Sequence, residues 1–269
     1  MLAVKLIAAL ALAYLLVLGL VFALQTSLLF PTRLVGPAGP LPPGAIRLTV
    51  AAEGGERLHG IHVPPAALQE GRPAVVLGFA GNAWNGQSAA EYLHELFPQH
   101  HVVAFHYRGY RPSEGAPVAS ALLADAPIIH DHVAERLGTD RIVAVGFSIG
   151  SGVAAHLASR RKLAGLILVT PFDSLAAVAA DHYRWLPVAL LLRHRMEPAE
   201  DLRGSAVPTA TIAAEHDTLI PARRTEALEQ AVPNLVLRRR IAGAGHNDIY
   251  RHPAFERAMA EAMARVLEN

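Results

Sequence analysis

The chain contains no cysteine among its 269 residues. The protein therefore forms no disulfide, uses no thiolate nucleophile and holds no Cys-ligated zinc or iron–sulfur site. A long basic run is also missing, since the densest basic cluster is Arg238 to Arg240 and the formal net charge is +1. Because nucleic acids are captured by extended positive surfaces, this charge pattern predicts no nucleic-acid partner.

Motifs for metals and cofactors are absent as well. The sequence has neither a Walker phosphate loop nor a GxGxxG pattern after its first strand, so it offers no cradle for a nucleotide. Among 14 histidines, His130 and His132 flank Asp131, but ligands at i and i+2 point to different sides of a helix. No HExxH spacing occurs. We therefore predict neither a metal nor a cofactor.

The N-terminus is a long apolar run. Leu6 to Leu24 is 19 residues without a charge, the length needed to cross the bilayer core, and predicts a transmembrane anchor over residues 1–28. A cleaved signal peptide ending at Val21-Phe22-Ala23 is the alternative, but its apolar region is usually shorter. Lys5 and the free amine precede the span, whereas Arg33 is the nearest charge after it. By the positive-inside rule this favours a cytoplasmic N-terminus and a single-pass protein whose domain lies outside the cytoplasm.

Beyond a Pro- and Gly-rich linker at 29–44, residues 45–269 alternate between strand and helix patterns. Predicted strands are Ile46–Ala51, Leu58–Val63, Ala74–Phe79, Val102–Tyr107, Ile142–Phe147, Leu163–Thr170, Thr209–Ala214 and Val236–Ile241. Predicted helices are Gln87–Leu96, Val118–Leu137, Gly150–Ser159, Ala222–Ala231 and Pro253–Leu267. This alternation predicts an α/β domain with an eight-stranded, mainly parallel sheet covered on both faces, and an antiparallel edge formed by the first strands.

One connection, residues 171–208, is longer than the others. It contains the stretch "YRWLPVALLLRHR" from Tyr183 to Arg195. Two interpretations stay open. The connection could form a lid, or its apolar residues could form one helix buried in the core.

Ser148 stands in "GFSIGSG", directly after a predicted strand and at the start of a predicted helix. Gly146 and Gly150 carry no Cβ, which lets strand and helix pack closely around a strained turn that exposes the serine hydroxyl. The pattern alone arises by chance in roughly one chain in ten of this length. Its position between strand and helix makes Ser148 a candidate nucleophile.

A serine nucleophile requires a base, and the base requires an acid that fixes its tautomer. His246 lies in "AGAGHND", just past the last predicted strand, and Asp217 in "AAEHDTLIP" follows the strand before it. The order serine, acid, histidine is the one expected when the three residues follow successive strands of such a sheet. We predict a triad of Ser148, Asp217 and His246.

Other carboxylates compete with Asp217 for the acid. Asp173 in "VTPFDSL" also follows a strand, and its alternative role is to cap the helix that begins at Ser174 or Leu175. Weaker candidates are Asp248 and Glu215.

The tetrahedral intermediate of acyl transfer requires two backbone N–H groups aimed at its oxyanion. Ile149, the residue after the nucleophile, supplies one of them. The second is expected from the loop "AGNAWNG" after the third strand, where we choose Asn82, with Ala83 as the neighbouring alternative.

Several segments together resemble α/β-hydrolase-fold serine hydrolases. The similarity is to their membrane-anchored branch, which includes lysophospholipid and acylglycerol lipases and acyl-protein thioesterases. The segments are "LLFP", "GFAGNAWN", "YRGYRPSEGAP", "GFSIGSG", "TPFDSL", "HDTLIP" and "GAGHND". The resemblance implies the same nucleophile, acid, base and oxyanion donors as above. The sequence differs from the usual family pattern at Ala80, where a histidine is common. A hydrogen bond that braces the loop of Asn82 is therefore expected to be missing.

The predicted function is that of a serine hydrolase that cleaves carboxylic esters through an acyl-enzyme. Thioesters are a second substrate class, and the substrate is expected to be a small-molecule or lipid-like ester. Alternatives are a peptidase or acyltransferase of the same fold, or a non-catalytic binding domain tethered to the membrane.

Overall fold

A 28-residue helix, α1 (Leu2–Leu29), opens the chain in the computed structural model, which describes residues 1–66 and 73–268. Only Gln25 of this helix is buried, and its apolar side chains are otherwise exposed or partly exposed. By length and composition the helix could cross a membrane. The prediction of an apolar helix at the N-terminus is confirmed.

The described residues form one eight-stranded sheet in the order β1-β2-β4-β3-β5-β6-β7-β8. The strands are β1 Ile46–Ala51, β2 Arg57–Val63, β3 Val75–Phe79, β4 His101–Phe105, β5 Ile142–Phe147, β6 Gly165–Val169, β7 Thr209–Ala214 and β8 Leu235–Ile241. Strand β2 runs antiparallel to both of its neighbours, whereas β3 to β8 are parallel. The predicted sheet and its antiparallel edge are confirmed.

Two strands end earlier than their apolar patterns predict. β4 ends at Phe105, two residues before the predicted end at Tyr107. The Tyr107 hydroxyl donates to the carbonyl of Ala80 at 2.8 Å. β6 stops at Val169 because Thr170 adopts a φ of 46°, which no strand residue can hold. In both cases the chain turns away from the sheet at its carboxyl edge.

Helices cover both faces of the sheet. One face carries α2 (Gly86–Leu96) and α9 (Pro253–Glu268), and the other carries α3 (Ala119–Leu137), α4 (Ile149–Arg160) and α8 (Ala222–Ala231). Successive side chains of a strand point to opposite faces, so β5 contributes to both cores. Ile142 and Ala144 pack on the α4 side, while Val143 and Val145 pack on the α9 side. The covering of both faces explains why the central strands read as continuous apolar runs.

The connection 171–208 folds into short helices: α5 (Leu175–His182), α6 (Val188–Leu191) and α7 (Pro198–Leu202). Within its apolar stretch Val188 is buried, but Trp185 is 55% exposed and Leu190 is 84% exposed. The interpretation as one helix buried in the core is therefore wrong. Pro187 gives the physical reason, since a proline disfavours helical geometry at the residue before it.

The order of the strands also locates the crevice where ligands bind in such sheets. From β3 the chain crosses to β4 on one side, and β5 then lies on the other side of β3. In parallel sheets, the crevice at the carboxyl ends of strands on either side of such a switch point is the usual ligand site. The loops after β3 and β5 both open there.

Candidate active site

Ser148 occupies a sharp turn between β5 and α4. Its backbone has φ 50° and ψ −116°, and Thr170 is the only other non-glycine residue of the described chain with positive φ. The flanking glycines are required by space: a Cβ on Gly146 would lie 2.4 Å from the carbonyl oxygen of Gly150, and one on Gly150 would lie 2.2 Å from that of Phe79. Strain of this kind persists where the surroundings fix the backbone, as at a nucleophile.

Three side chains from separate loops meet in one hydrogen-bonded chain. Nε2 of His246 lies 2.9 Å from Oγ of Ser148, and Nδ1 of His246 lies 2.7 Å from Oδ2 of Asp217. The side chains of His246 and Asp217 are only 7% and 6% exposed. An ionised carboxylate only accepts hydrogen bonds, so the proton sits on Nδ1 and Nε2 is left to accept the serine proton. The structure thus brings together the three residues predicted from sequence.

Asp217 is oriented by the backbone of its own loop. Its Oδ1 accepts the N–H groups of Leu219 at 2.9 Å and Ile220 at 2.7 Å. With one oxygen committed to these donors, the other points to the histidine. The carboxylate is held by local turn geometry and does not depend on a distant partner.

Asp173 does not reach the histidine. Its carboxylate forms an ion pair with Arg224 at 3.0 Å. It does not cap the following helix either, because Ser174 is the N-cap of α5 and its Oγ accepts the N–H of Ala177 at 3.3 Å. Asp173 therefore links two elements through Arg224.

The two weaker acid candidates shape the histidine loop. Oε2 of Glu215 accepts the N–H of Gly243 at 2.8 Å, and Oδ1 of Asp248 accepts the N–H of Gly245 at 2.6 Å. Both carboxylates hold the backbone beside His246 and make no hydrogen bond to its ring. Their contribution is to the position of the histidine loop.

Ile149 is the first residue of α4, and the first N–H groups of a helix have no partner within it. Its N–H follows directly on Ser148, the position expected of an oxyanion donor if Ser148 is a nucleophile. The loop of Asn82 lies alongside, since the Gly150 position approaches the carbonyls of Phe79 and Ala80 closely. The two predicted donors thus flank the same turn.

Two tyrosines brace the loop of Asn82, and sequence reasoning assigned them no role. The Tyr110 hydroxyl donates to Oδ1 of Asn82 at 2.9 Å, and the Tyr107 hydroxyl donates to the carbonyl of Ala80 at 2.8 Å. The Asn82 amide in turn donates to the carbonyl of Leu29 at the end of α1. Burial raises the pKa of both phenols, so they stay protonated and donate. The bracing expected to be missing at Ala80 is supplied by Tyr107.

An aromatic cluster joins the three loops of the site. Trp84 follows the Asn82 loop, Phe147 precedes Ser148, and Tyr250 lies just after His246. Their ring centroids are 5.3 Å apart for Trp84 and Phe147, 5.8 Å for Trp84 and Tyr250, and 5.9 Å for Phe147 and Tyr250. Burial raises the pKa of Tyr250 to about 12. The cluster fixes the loops relative to one another, which supports a preformed site.

Residues 1–66 and 73–268 contain no group of three or more His, Cys, Asp or Glu side chains that could hold a metal ion. A cavity of about 700 Å³ lies at the opposite edge of the sheet, where Arg141 precedes β5 and Pro208 precedes β7. It is lined by none of the three hydrogen-bonded residues. The chemistry of the site rests on the side chains at the carboxyl edge.

A family model described as alpha/beta hydrolase fold matches residues 74–194, from the start of β3 past Ser148. An uncharacterized protein of Mycobacterium tuberculosis is 35% identical over 221 residues, 78% of this chain and 78% of that protein. The lysophosphatidylserine lipase of Danio rerio is 30% identical over 178 residues, which span 58% of this chain and 46% of the lipase.

Solved structures share the architecture at low sequence identity. An esterase of Pyrococcus furiosus superposes with a TM-score of 0.69 at 19% identity, covering 87% of this chain and 95% of the esterase. An alpha-beta hydrolase of Vibrio vulnificus gives 0.63 at 20% identity, covering 84% and 81%. At these identities the likeness concerns the fold, and it agrees with the family match over residues 74–194. The chain therefore belongs to the α/β-hydrolase fold family.

Proposed function

We propose that the protein is a serine hydrolase that cleaves carboxylic esters, and thioesters as a second class, through an acyl-enzyme. The observation that carries the proposal is the hydrogen-bonded chain from Ser148 through His246 to Asp217. The names of its relatives support it, since one is a lysophosphatidylserine lipase and a structural neighbour is an esterase. Besides the substrate and water, this chemistry uses only groups of the chain itself.

In the first half of the reaction, Oγ of Ser148 attacks the ester carbonyl while Nε2 of His246 takes its proton. Asp217 stabilises the imidazolium that forms, and the N–H groups of Ile149 and Asn82 hold the oxyanion. The C–O bond to the leaving group then breaks, and His246 returns the proton to the departing alcohol. The product of this half is an acyl ester on Ser148.

In the second half, His246 takes a proton from water, and the resulting nucleophile attacks the acyl carbon. The bond to Oγ of Ser148 breaks, the serine recovers its proton from His246, and the carboxylic acid leaves. Because the same imidazole serves as base and acid in each half, its fixed tautomer matters in both.

A matched ester and anilide test this function. The full-length protein in detergent is expected to hydrolyse p-nitrophenyl butyrate and the corresponding butyryl thioester. The hydrolysis rate of butyryl p-nitroanilide is expected to equal that in buffer without enzyme. Absorbance at fixed enzyme concentrations measures all three. Cleavage of the anilide with a kcat/KM equal to that of the ester would instead support a peptidase. If the protein hydrolyses none of the three compounds, the result would support a non-catalytic binding domain.

We further propose that α1 anchors the protein, with residues 29–44 as a linker and 45–269 as a catalytic domain outside the cytoplasm. The exposed apolar surface of α1 supports the anchor. Lys5 directly adjoins the span, whereas Arg33, the nearest charge after it, lies further away, which supports the orientation.

Reporter fusions test the orientation. Alkaline phosphatase folds to an active form only outside the cytoplasm, so its fusion after Asn269 is expected to be active and a fluorescent cytoplasmic reporter at the same point dark. The fusion should also keep its full mass. An inactive phosphatase fusion together with a fluorescent cytoplasmic reporter would show that the domain lies in the cytoplasm. A product that lacks roughly the first 23 residues would show that the helix is a cleaved signal peptide.

A further inference from the structure

The residues 183–195, here named the cap segment, lie along α1. The Tyr14 hydroxyl donates to the carbonyl of Trp185 at 2.7 Å. Eleven residues further along the helix, the Gln25 amide donates to the carbonyl of Leu191 at 3.1 Å and accepts the N–H of Arg193 at 2.8 Å. At 1.5 Å per residue these contacts span about 16 Å of α1. The segment therefore packs against the half of the helix that adjoins the domain.

A cavity of about 230 Å³ separates the two elements. Its walls are almost entirely apolar, and they include Val21, Leu28 and Leu29 from α1 and Leu186, Val188 and Leu191 from the cap segment. Gln25 is the polar exception, but both ends of its side-chain amide are bonded to backbone groups. Such a lining favours an uncharged aliphatic occupant.

One wall of the cavity is tied to the proposed oxyanion loop. The carbonyl of Leu29 accepts the side-chain amide of Asn82. The next residue, Phe30, is buried and its ring lies edge-on to His194, with centroids 5.2 Å apart. One end of a chain held in the cavity would therefore lie beside the loop that flanks Ser148.

Apolar residues are also exposed on the outer side of this region. Leu20 of α1 is 58% exposed, and Trp185 and Leu190 of the cap segment are 55% and 84% exposed. The guanidinium of Arg193 lies 4.7 Å from the ring centroid of Phe22, at the domain end of the helix. Exposed leucines are typical of a surface that faces lipid, and an arginine at the domain end of the helix is typical of the bilayer boundary.

We propose that this cavity holds one acyl chain of a membrane lipid ester, which enters sideways from the leaflet next to the domain. The proposal rests on the proposed ester hydrolase function and names its substrate class. Aliphatic chains that reside in the bilayer reach the cavity between α1 and the cap segment without passing through water. The ester carbonyl then reaches Ser148 while the lipid head group stays at the surface.

Paired tryptophan substitutions test the cavity. Val21→Trp and Leu191→Trp fill it from its two walls, whereas Leu20→Trp and Leu190→Trp place the same side chain on adjacent residues outside it. The measurement is the ratio of kcat/KM for p-nitrophenyl laurate to that for p-nitrophenyl butyrate. Both wall variants are expected to lower the ratio at least about tenfold, the worth of two buried methylene groups. The two control variants are expected to keep the wild-type ratio.

Wall variants that keep the wild-type ratio, while a fluorophosphonate probe labels them at the wild-type rate, would overturn the cavity as the acyl site. That outcome leaves the proposed function standing. If the wild type itself hydrolyses neither ester, the proposed function fails first, and the two failures are thus distinguishable.

Tryptophan fluorescence tests access from the membrane. The sequence has two tryptophans, so Trp84→Phe leaves Trp185 of the cap segment as the only one. In phosphatidylcholine vesicles whose acyl chains carry bromine, a quencher at short range, the emission of Trp185 is expected to fall relative to vesicles without bromine. Equal emission in both vesicles would place the cap segment in water and overturn access from the leaflet.

Discussion

Replacing Ser148 by alanine is expected to lower kcat for p-nitrophenyl butyrate by roughly 10⁵- to 10⁶-fold, the loss typical when a triad nucleophile is removed. His246 would still lie in place, but no oxygen would remain to form the acyl-enzyme. The oxyanion donors and the binding surface would supply only the residual rate. Steady-state kinetics on the purified full-length variant measure the effect.

Ser151→Ala is the matched control for this substitution. Its hydroxyl lies three residues further along the same helix and donates to the carbonyl of Ser148 at 2.6 Å. Loss of that single neutral hydrogen bond is expected to lower kcat no more than about tenfold. If Ser148→Ala behaved like Ser151→Ala, the nucleophile would be another group.

The Asp217→Asn variant is expected to lower kcat by roughly 10⁴-fold, because an amide no longer fixes the histidine tautomer or stabilises the imidazolium. The asparagine side chain has nearly the size of the aspartate, and its carbonyl oxygen can still accept the N–H groups of Leu219 and Ile220. The loss is therefore expected in kcat with the fold intact. Circular dichroism and thermal unfolding check the second part.

Asp173→Asn separates the two candidate acids. Its carboxylate pairs with Arg224 and does not contact His246, so the variant is expected to lose some thermal stability and to keep most of its kcat. The reverse result, a large loss of kcat at Asp173 and a small one at Asp217, would show that the acid was assigned to the wrong strand end.

The strand ends explain why the site could be predicted from sequence. Ser148, Asp217 and His246 each follow an apolar run, and parallel strands bring their carboxyl ends to one edge of a sheet. The positions of these residues after predicted strands therefore indicated that they lie close together in the fold. The glycines at 146 and 150 added the turn, because no other residue fits between the strand and helix backbones.

The bracing of the oxyanion loop could not be predicted in this way. Tyr110 reaches Asn82 and Tyr107 reaches Ala80 across a gap of almost thirty residues. Such contacts depend on the position of β4 relative to β3, and the local sequence pattern does not predict that position. The resemblance to related hydrolases pointed to the "YRGY" stretch, but only the structure gives its tyrosines a physical role.

The cap segment shows a second limit. The spacing of its leucines is typical of a buried helix, and the pattern does not say which surface covers them. Pro187 divides the segment, and α1 provides the covering surface on one side only. The apolar residues left exposed are those from which the acyl-chain cavity and its access from the membrane are inferred.

Mass spectrometry of a trapped adduct shows whether Ser148 is the residue that attacks the acyl carbon. Full-length protein treated with a fluorophosphonate, digested and sequenced is expected to carry one phosphonyl group, on the Ser148 peptide. Heat-denatured protein and the Ser148→Ala variant should carry none. A phosphonyl group on another residue of the native protein, or equal labelling of native and denatured protein, would show that Ser148 is not an activated nucleophile.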